Sequence, residues 1–297
     1  MGVKTALRPL RRKYADRRRA KRDTPRVSYA NPDDPALRRL LIHAIEQVTG
    51  QPRLTRLYRE YRREGDPAGD FWRAAVSKLR LNTLYDAKRL AAIPRQGPLV
   101  IIANHPYGVL DGIVIGYLTS LVRPQFKLLA HSVLYRAPEL QSFVLPIDFT
   151  DSKAAIRTNI ASRRQASAEL AKGGAVVIFP AGGVSTSKTL FGPAIDLEWK
   201  PFAAKLITQS RATVVPMFFE GQNSRLFQVA SHISGALREG LLIKEVASRI
   251  GADVRLRIGA PIPYGALAHL RDRQPMVDHL RATTMGLSGQ SGATPVP

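Results

Sequence analysis

The sequence predicts an α/β fold with a central, mostly parallel sheet, helices on both faces, and basic amphipathic helices preceding it. Two observations support this prediction. From residue 98 onwards, short apolar segments alternate with longer helical stretches, the order in which crossover helices connect parallel strands. The 297 residues are 44% hydrophobic and 23% charged, a composition that allows a sizeable core and differs from that of a disordered chain.

Residues 1–34 are predicted to form a flexible basic arm. Residues 1–22 carry ten Lys or Arg and one acid, and the whole chain has 45 basic against 23 acidic residues, a formal charge of +22. Such a charge favours an anionic partner, which could be nucleic acid, anionic lipid or an acidic protein. The apolar segments are too short for a secretory signal or a membrane-spanning helix, so neither is expected. The absence of Cys excludes disulfides, thiolate nucleophiles and cysteine zinc sites.

Residues 35–79 are predicted to form an amphipathic helical segment. Six apolar residues recur at helical spacing in its first helix: Leu37, Leu40, Leu41, Ala44, Ile45 and Val48. Four more mark a second helix among five arginines: Leu54, Leu57, Tyr58 and Tyr61. Such cationic amphipathic faces suit an anionic membrane surface. The alternative is that both helices cover the core while their arginines extend into water.

Residues 80–286 are predicted to form the main domain. Five short apolar segments are expected to be strands: 98–103, 126–130, 175–179, 213–219 and 254–259. Four longer segments are expected to be helices: 113–121, 154–172, 197–210 and 226–250. Residues 287–297 are rich in Gly, Ser, Thr and Pro, so they are expected to form a disordered tail.

A histidine and an aspartate, His105 and Asp111, come shortly after the buried strand predicted at 98–103. Sites in open α/β sheets collect at the carboxyl ends of strands, and a nearby Asp can orient a His that acts as a base. Pro106 and Gly108 indicate a loop rather than a regular helix, and a loop lets the two side chains meet across six positions. The alternative for this His is an ordinary hydrogen-bonded residue.

A glycine-rich loop follows a second buried strand, within residues 173–187. Gly182 and Gly183 allow backbone N–H groups to approach a ligand closely, and Ser185 begins a run of hydroxyl donors. The loop is a candidate anion or oxyanion site, although Pro-x-Gly-Gly is also an ordinary turn. It has neither the Gly-Lys-Ser/Thr of a nucleotide P-loop nor the Gly-x-Ser-x-Gly of a nucleophile elbow.

Taken in order, these stretches resemble the sequence blocks of the glycerolipid acyltransferases, the lysophosphatidate acyltransferase-like family. Seven residues match the family's first and third blocks, Asn-His-x4-Asp and Phe-Pro-Glu-Gly-Thr-Arg-Ser: Asn104, His105, Asp111, Phe179, Pro180, Gly182 and Ser185. The first block has one additional residue here. The strand that contains Pro216 resembles the fourth block, and the resemblance covers residues 80–262.

The chain departs from the family pattern where an acceptor phosphate would bind. Ala181 replaces the family's Glu and Val184 its Arg, the residues that the resemblance implies for organising and binding that phosphate. With these departures, and with the motifs beginning at Asp196 and Phe218, the sequence is similar to a bacterial hemolysin-like branch. That branch includes O-acyltransferases of lyso-ornithine lipid and related aminolipids.

The resemblance implies a membrane-associated O-acyltransferase that moves a fatty acyl group from an acyl-carrier-protein or acyl-CoA thioester to the hydroxyl of a lyso-aminolipid, such as lyso-ornithine lipid. His105, oriented by Asp111, is the expected base, and Gly182 and Gly183 are the expected oxyanion donors. No covalent intermediate, cofactor or metal is expected. Seven further residues are implied in substrate binding: Asn104, Phe179, Pro180, Ser185, Pro216, Glu220 and Asn223. Glu220 has two possible roles, contact with an acceptor amine or an ion pair with an arginine.

The basic arm and helices are expected to hold the enzyme at the cytoplasmic face of the bacterial inner membrane, where the same charge attracts an acidic carrier protein. One alternative is a 1-acylglycerol-3-phosphate acyltransferase that binds phosphate through Lys188, Arg225 or another cation. Two alternatives lie outside enzymes, a basic lipid-binding protein without catalysis and a nucleic-acid-binding protein. The second is disfavoured because aromatic residues make up only 7% of the chain, which leaves few side chains for base stacking.

Overall fold

The computed structural model describes residue 28 and residues 35–64, 70–150 and 152–289. Of the arm predicted at 1–34, only Ser28 is described, and the rest lies outside the described residues. Ser28 is buried, and its Oγ donates a hydrogen bond to Glu46 Oε2 at 2.7 Å.

Nine strands occur in the described residues: β1 (Asn82–Leu84), β2 (Leu99–Ala103), β3 (Lys127–His131), β4 (Val144–Ile147), β5 (Ala175–Ile178), β6 (Thr186–Ser187), β7 (Ala194–Ile195), β8 (Thr213–Phe219) and β9 (Asp253–Ile258). β6 and β7 form a separate hairpin, and the other seven form one sheet in the order β1-β9-β8-β2-β5-β3-β4. Strands β8, β2, β5, β3 and β4 run parallel, whereas β9 is antiparallel to β8. The predicted mostly parallel sheet is confirmed.

The described residues also form eleven α-helices: α1 (Ala36–Thr49), α2 (Gln51–Glu64), α3 (Phe71–Lys78), α4 (Ala87–Ala91), α5 (Val109–Val122), α6 (Lys153–Ala171), α7 (Phe202–Ser210), α8 (Arg225–Ile233), α9 (Gly235–Ser248), α10 (Tyr264–Leu267) and α11 (Arg273–Gly286). Three short 3₁₀ turns lie at Ser132–Arg136, Pro138–Leu140 and Leu287–Gly289. Within the described parts of the chain, none of the helices combines the length and the apolar composition needed to cross a membrane.

Strand β2 shows how the helices cover both faces of the sheet. Leu99 and Ile101 pack into a core layer with α3 and α5, whereas Val100 and Ile102 pack into a second layer with α6, α7 and α11. All four side chains are fully buried, because alternate residues of a strand point to opposite faces. The predicted helix-sheet-helix arrangement is therefore confirmed.

Helices α1 and α2 confirm the two amphipathic helices predicted before the main domain. α1 packs on α9 through the fully buried Ile42, and Gly240 permits this approach because a Cβ there would lie 3.1 Å from an α1 side chain. The outward face of α1 is still apolar, since Leu37, Leu40 and Val48 are 79%, 67% and 84% exposed. α1 thus covers the core and also presents leucines to its surroundings.

Several boundaries differ from the predicted ones, and local backbone chemistry explains the differences. The helix predicted at 226–250 is two helices, because Ser234 is extended and its Oγ accepts the N–H of Ala236 at the start of α9. The helix predicted at 197–210 begins only at Phe202, after Pro201. Of the tail predicted at 287–297, Leu287–Gly289 form a 3₁₀ turn in which Leu287 is buried, and the rest lies outside the described residues.

Candidate functional site

The predicted site segments meet at one edge of the sheet. β2 ends just before Asn104 and His105, β5 ends just before the loop at 179–185, and β8 ends at Phe219. Because the three strands are parallel and adjacent, their carboxyl ends lie side by side. The structure therefore brings His105 and the glycine-rich loop together.

His105 and Asp111 form a close pair, with His105 Nδ1 3.0 Å from Asp111 Oδ2. Asp111 lies in the first turn of α5 and not in a loop, which corrects the prediction for this segment. Gly108 makes this possible, because its φ of 84° turns the chain into the helix despite the additional residue. The N–H groups of Tyr107 and Gly108 also donate to Asp111 Oδ2, at 2.8 and 2.9 Å.

The surroundings of this pair suit a proton acceptor. Asp111 is fully buried, and this burial raises its pKa, while His105 and the two N–H donors partly oppose the shift. The His105 ring stacks on Phe179, with centroids 4.1 Å apart, and its side chain remains 17% exposed. Because Nδ1 faces a carboxylate, the proton of the neutral ring belongs on Nδ1, which leaves Nε2 as the free base.

A cavity of about 640 Å³ opens in front of His105. The loop residues 179–184 line it, as do three cations, Arg163, Lys200 and Arg238. The predicted residues Phe179, Pro180, Gly182 and Gly183 therefore share one cavity with the histidine. Its size and position leave room for a substrate beside His105.

The glycine-rich loop lines this cavity and contains backbone N–H groups without acceptors in the described residues. The N–H of Gly182 is not available as the predicted oxyanion donor, because it donates to Phe179 O at 3.0 Å within a turn. The N–H groups of Gly183 and Val184 donate to no acceptor in the described residues. Gly183 and its neighbour Val184 are thus the candidate oxyanion donors.

A buried carboxylate, Asp196, links the glycine-rich loop to His105 through hydrogen bonds. Its Oδ1 accepts the His105 N–H at 3.0 Å and a short hydrogen bond from Ser185 Oγ, and its Oδ2 accepts Trp199 Nε1–H at 2.9 Å. The Ser185 N–H in turn donates to His105 O at 2.8 Å. The sequence-predicted site omits Asp196, and the spacing Asp196-x-x-Trp199 is the one local signal for it.

A second, apolar cavity of about 150 Å³ lies between α2, α3, α5 and α9. Three residues line both cavities, namely Val109, Gly112 and Leu134. The space in front of His105 is therefore bordered by an apolar chamber, which suits a substrate with a hydrocarbon chain.

The comparison with protein families agrees with this chemistry. A family model described as acyltransferase matches residues 64–291. The chain belongs to this acyltransferase family. The family resemblance carried by the sequence blocks is thereby confirmed.

Individual relatives of this acyltransferase are more distant. It is 28% identical over 191 residues to a lyso-glycine lipid O-acyltransferase of Phocaeicola vulgatus, covering 62% of this chain and 66% of the relative. It is 29% identical over 159 residues to the protein of the same name from Bacteroides thetaiotaomicron, covering 53% and 56%. The chain thus spans less than two thirds of either curated relative. The crystal structure of the 1-acyl-sn-glycerophosphate acyltransferase PlsC from Thermotoga maritima matches with a TM-score of 0.49 and 13% identity, covering 84% of this chain and 88% of that one.

Three of the predicted substrate-binding residues make contacts that stabilise the fold of this acyltransferase. Asn104 Nδ2 donates to Phe219 O at 2.9 Å, and its Oδ1 accepts the Phe219 N–H at 2.7 Å, so this buried amide joins β2 to β8. Pro216 is buried within β8, opposite Ile102 of β2. Ser185 Oγ is occupied by the bond to Asp196. These contacts give the three residues structural roles, and their binding of substrate stays a prediction.

Two further predicted residues, Glu220 and Asn223, do not line the cavity. The Glu220 side chain pairs with Arg257, which is the second of its two predicted roles. Asn223 is 1% exposed, and neither polar atom of its side chain has a partner among the described residues. The charged side chains that do line the cavity are Arg163, Lys200, Arg238, Glu198 and Glu239.

Proposed function

We propose that this acyltransferase moves a fatty acyl group from an acyl-carrier-protein or acyl-CoA thioester to the hydroxyl of a lyso-aminolipid. The observation that carries the proposal is the His105–Asp111 pair, held 3.0 Å apart at the wall of an open cavity. Family membership and the names of the two relatives, lyso-glycine lipid O-acyltransferases, support the same class of reaction.

The proton transfer follows from the geometry of the pair. The acceptor hydroxyl gives its proton to His105 Nε2 as its oxygen attacks the carbonyl carbon of the thioester. The buried Asp111 carboxylate stabilises the imidazolium that forms. When the tetrahedral intermediate collapses, the C–S bond breaks and His105 returns the proton to the leaving thiolate. The ester forms without a covalent enzyme intermediate.

The developing oxyanion needs donors that are already in place. The free N–H groups of Gly183 and Val184 suit this role, and each well-placed donor stabilises the transition state by about 3 kcal/mol. Asp196 contributes by fixing Ser185, the next residue of the loop, to His105. Base and oxyanion donors are thus held by one hydrogen-bonded unit.

The residue at position 184 favours an acceptor with a carboxylate over one with a phosphomonoester. Val184 stands where the family pattern has an Arg, and its side chain supplies neither charge nor hydrogen-bond donors. Lys200 is close to the loop, with Nζ 3.4 Å from the position that a Cβ on Gly182 would occupy. One ammonium group matches the single charge of an amino-acid carboxylate, whereas a phosphate dianion is normally met by a bidentate Arg.

A second candidate is a 1-acylglycerol-3-phosphate acyltransferase. One observation favours it, since Arg163, Lys200 and Arg238 line the same cavity and together could hold a phosphate. The cations named for this role from the sequence do not line the cavity. Lys188 lies outside it, and the Arg225 guanidinium donates to backbone carbonyls near the β6–β7 hairpin.

Association with a membrane surface completes the proposal. Phe149 and Leu197 line the cavity and are 51% and 45% exposed, so apolar side chains border the route to His105. Exposed leucines on α1 add a second apolar area beside arginines. A lyso-lipid could then enter the cavity with its chain in contact with lipid. Residence at the cytoplasmic face of the inner membrane stays a prediction.

The acceptor is tested by comparing kcat/KM for lyso-ornithine lipid, lyso-glycine lipid and lysophosphatidate with one acyl donor. We expect the parent to prefer a lyso-aminolipid, and Val184→Arg to shift the preference toward lysophosphatidate. Val184→Leu is the matched control, because it adds volume without charge and should leave the preference unchanged. A tenfold preference of the parent for lysophosphatidate would overturn the aminolipid assignment in favour of the second candidate.

A further inference from the structure

A cationic pocket lies beside the active-site cavity, on the sheet face covered by α6, α7 and α11. Its volume is about 450 Å³, and four cations line it: Arg163, Arg164, Lys205 and Arg273. None of its described lining residues is acidic. None of the four cations forms an ion pair within the described residues. Clustered positive charge without acidic partners attracts an anion from solution.

This pocket adjoins the cavity in front of His105. Arg163 and Phe202 line both spaces, and the Arg163 guanidinium lies over the Phe202 ring, 4.9 Å from its centroid. The boundary between the two spaces is therefore one arginine stacked on one aromatic ring. An extended molecule could have one end at His105 and the other among the cations.

The proposed reaction requires a substrate of this shape. Both possible acyl donors carry their thioester at the end of a 4′-phosphopantetheine arm, and the other end of that arm is a phosphate group. The lyso-lipid acceptor, in contrast, needs contact with apolar surface, which the opposite sheet face supplies through the apolar cavity lined by α2, α3 and α5. The anion for the cationic pocket is thus assigned to the donor and not to the acceptor.

We propose that Arg164, Lys205 and Arg273, with Arg163 at the boundary, bind the phosphate of the donor's phosphopantetheine arm. The arm then passes the Arg163–Phe202 boundary and delivers its thioester carbonyl to His105. This inference rests on the proposed function, because it assigns a donor to that reaction. It also places the donor and the acceptor on different sides of the catalytic histidine.

The first test uses two donors that differ only in the phosphate, acyl-phosphopantetheine and acyl-pantetheine with the same acyl chain. The variant is Arg164→Ala combined with Lys205→Ala. The matched control is Lys88→Ala combined with Arg89→Ala, which removes the same charge from exposed positions on α4.

We expect the parent to use the phosphorylated donor with a kcat/KM about tenfold above that of acyl-pantetheine. In the Arg164/Lys205 variant, kcat/KM for acyl-phosphopantetheine should fall to the value for acyl-pantetheine. The Lys88/Arg89 control should keep the parental ratio of the two kcat/KM values. The inference is wrong if the parent uses both donors equally, or if the variant loses activity equally with both.

A binding measurement separates this inference from the proposed function. An unreactive, fluorescent thioether of phosphopantetheine is titrated with each protein, and its anisotropy reports binding without acyl transfer. We expect binding about tenfold weaker for the Arg164/Lys205 variant than for the parent and the control. Equal binding by all three proteins would overturn the assignment of the cationic pocket to the donor, even if acyl transfer occurs. Weaker binding by the Arg164/Lys205 variant alone would support the assignment, even if acyl transfer fails.

The source of the arm is identified by repeating the kinetics with acyl-CoA and with acyl-carrier protein. Ile156 and Ile160 are exposed on α6, and Ile160 also lines the cationic pocket. A carrier protein that docks there would cover Ile156, so Ile156→Ser should lower kcat/KM with the carrier protein and leave that with acyl-CoA unchanged.

Discussion

Replacement of Asp196 by Asn tests whether this buried carboxylate positions the catalytic loop. Asp196 is 5% exposed and accepts hydrogen bonds from His105 N–H, Ser185 Oγ and Trp199 Nε1. Asn has nearly the same size but a single acceptor oxygen. Its NH2 group must therefore face a donor, either at Trp199 or at His105 and Ser185.

The less damaging orientation keeps the amide oxygen at His105 and Ser185 and leaves Trp199 Nε1–H unpaired. An unpaired buried donor costs about 1–3 kcal/mol, so we expect the free energy of unfolding to fall by about 2 kcal/mol. For a domain of this size that corresponds to a Tm about 4–8 °C lower. The two remaining bonds also lose their charged acceptor. A looser loop should lower kcat about tenfold, with little change in the KM for the acceptor.

The assay combines thermal unfolding with steady-state kinetics on Asp196→Asn and on Trp199→Phe. Trp199→Phe removes the bond to Oδ2 and part of a buried ring but keeps the bonds of Oδ1 to His105 and Ser185, so it should lower Tm while kcat stays near the parental value. The positioning role is refuted if Asp196→Asn keeps the parental kcat, or if both variants lose the same fraction of kcat.

Three further predictions concern Asp111, Gly108 and the exposed leucines of α1. Burial raises the pKa of Asp111, so its charged form destabilises the fold at neutral pH. Asp111→Asn should therefore raise Tm at pH 7, and this gain should shrink as the pH falls through the pKa of Asp111. The same variant should lose most acyl transfer. A lower Tm at pH 7 would contradict this sign. Gly108→Ala forces a side chain into a left-handed φ, which costs about 1–2 kcal/mol, and calorimetry should show that loss. Leu37→Ser with Leu40→Ser should weaken co-sedimentation with anionic vesicles about tenfold, whereas Ile156→Ser, on the opposite sheet face, should not.

The strands that carry the site were predictable because they are short, apolar and buried on both faces. β2, β5 and β8 each have this pattern, and chemically informative residues follow them. The edge strands β1 and β4 have no such signal, because they are only partly buried. The sequence therefore indicated central strands of the sheet and missed its two edge strands.

The sequence predicted that His105 and Asp111 meet, but not the local structure that brings them together. Proline and glycine between the two residues indicate a loop, yet the loop ends at Gly108 and a helix holds Asp111. The long-range contacts of this site had no signal in the local sequence. Asp196 bonds to the N–H of a residue 91 positions away, and the Asn104 amide binds backbone 115 positions away. Contacts at such separations arise from the packing of the sheet and not from sequence periodicity.

The central claim of this account is that His105 is the general base of acyl transfer. The most direct measurement is the rate of transfer of a labelled acyl group from the donor used by the parent to a lyso-aminolipid, for the parent, His105→Ala and His279→Ala. His279 is exposed on α11 and serves as the matched control. We predict a rate about 100 to 10,000-fold below that of the parent for His105→Ala, with an unchanged far-UV spectrum, and a parental rate for His279→Ala. A folded His105→Ala protein that transfers the acyl group as fast as the parent would contradict the account.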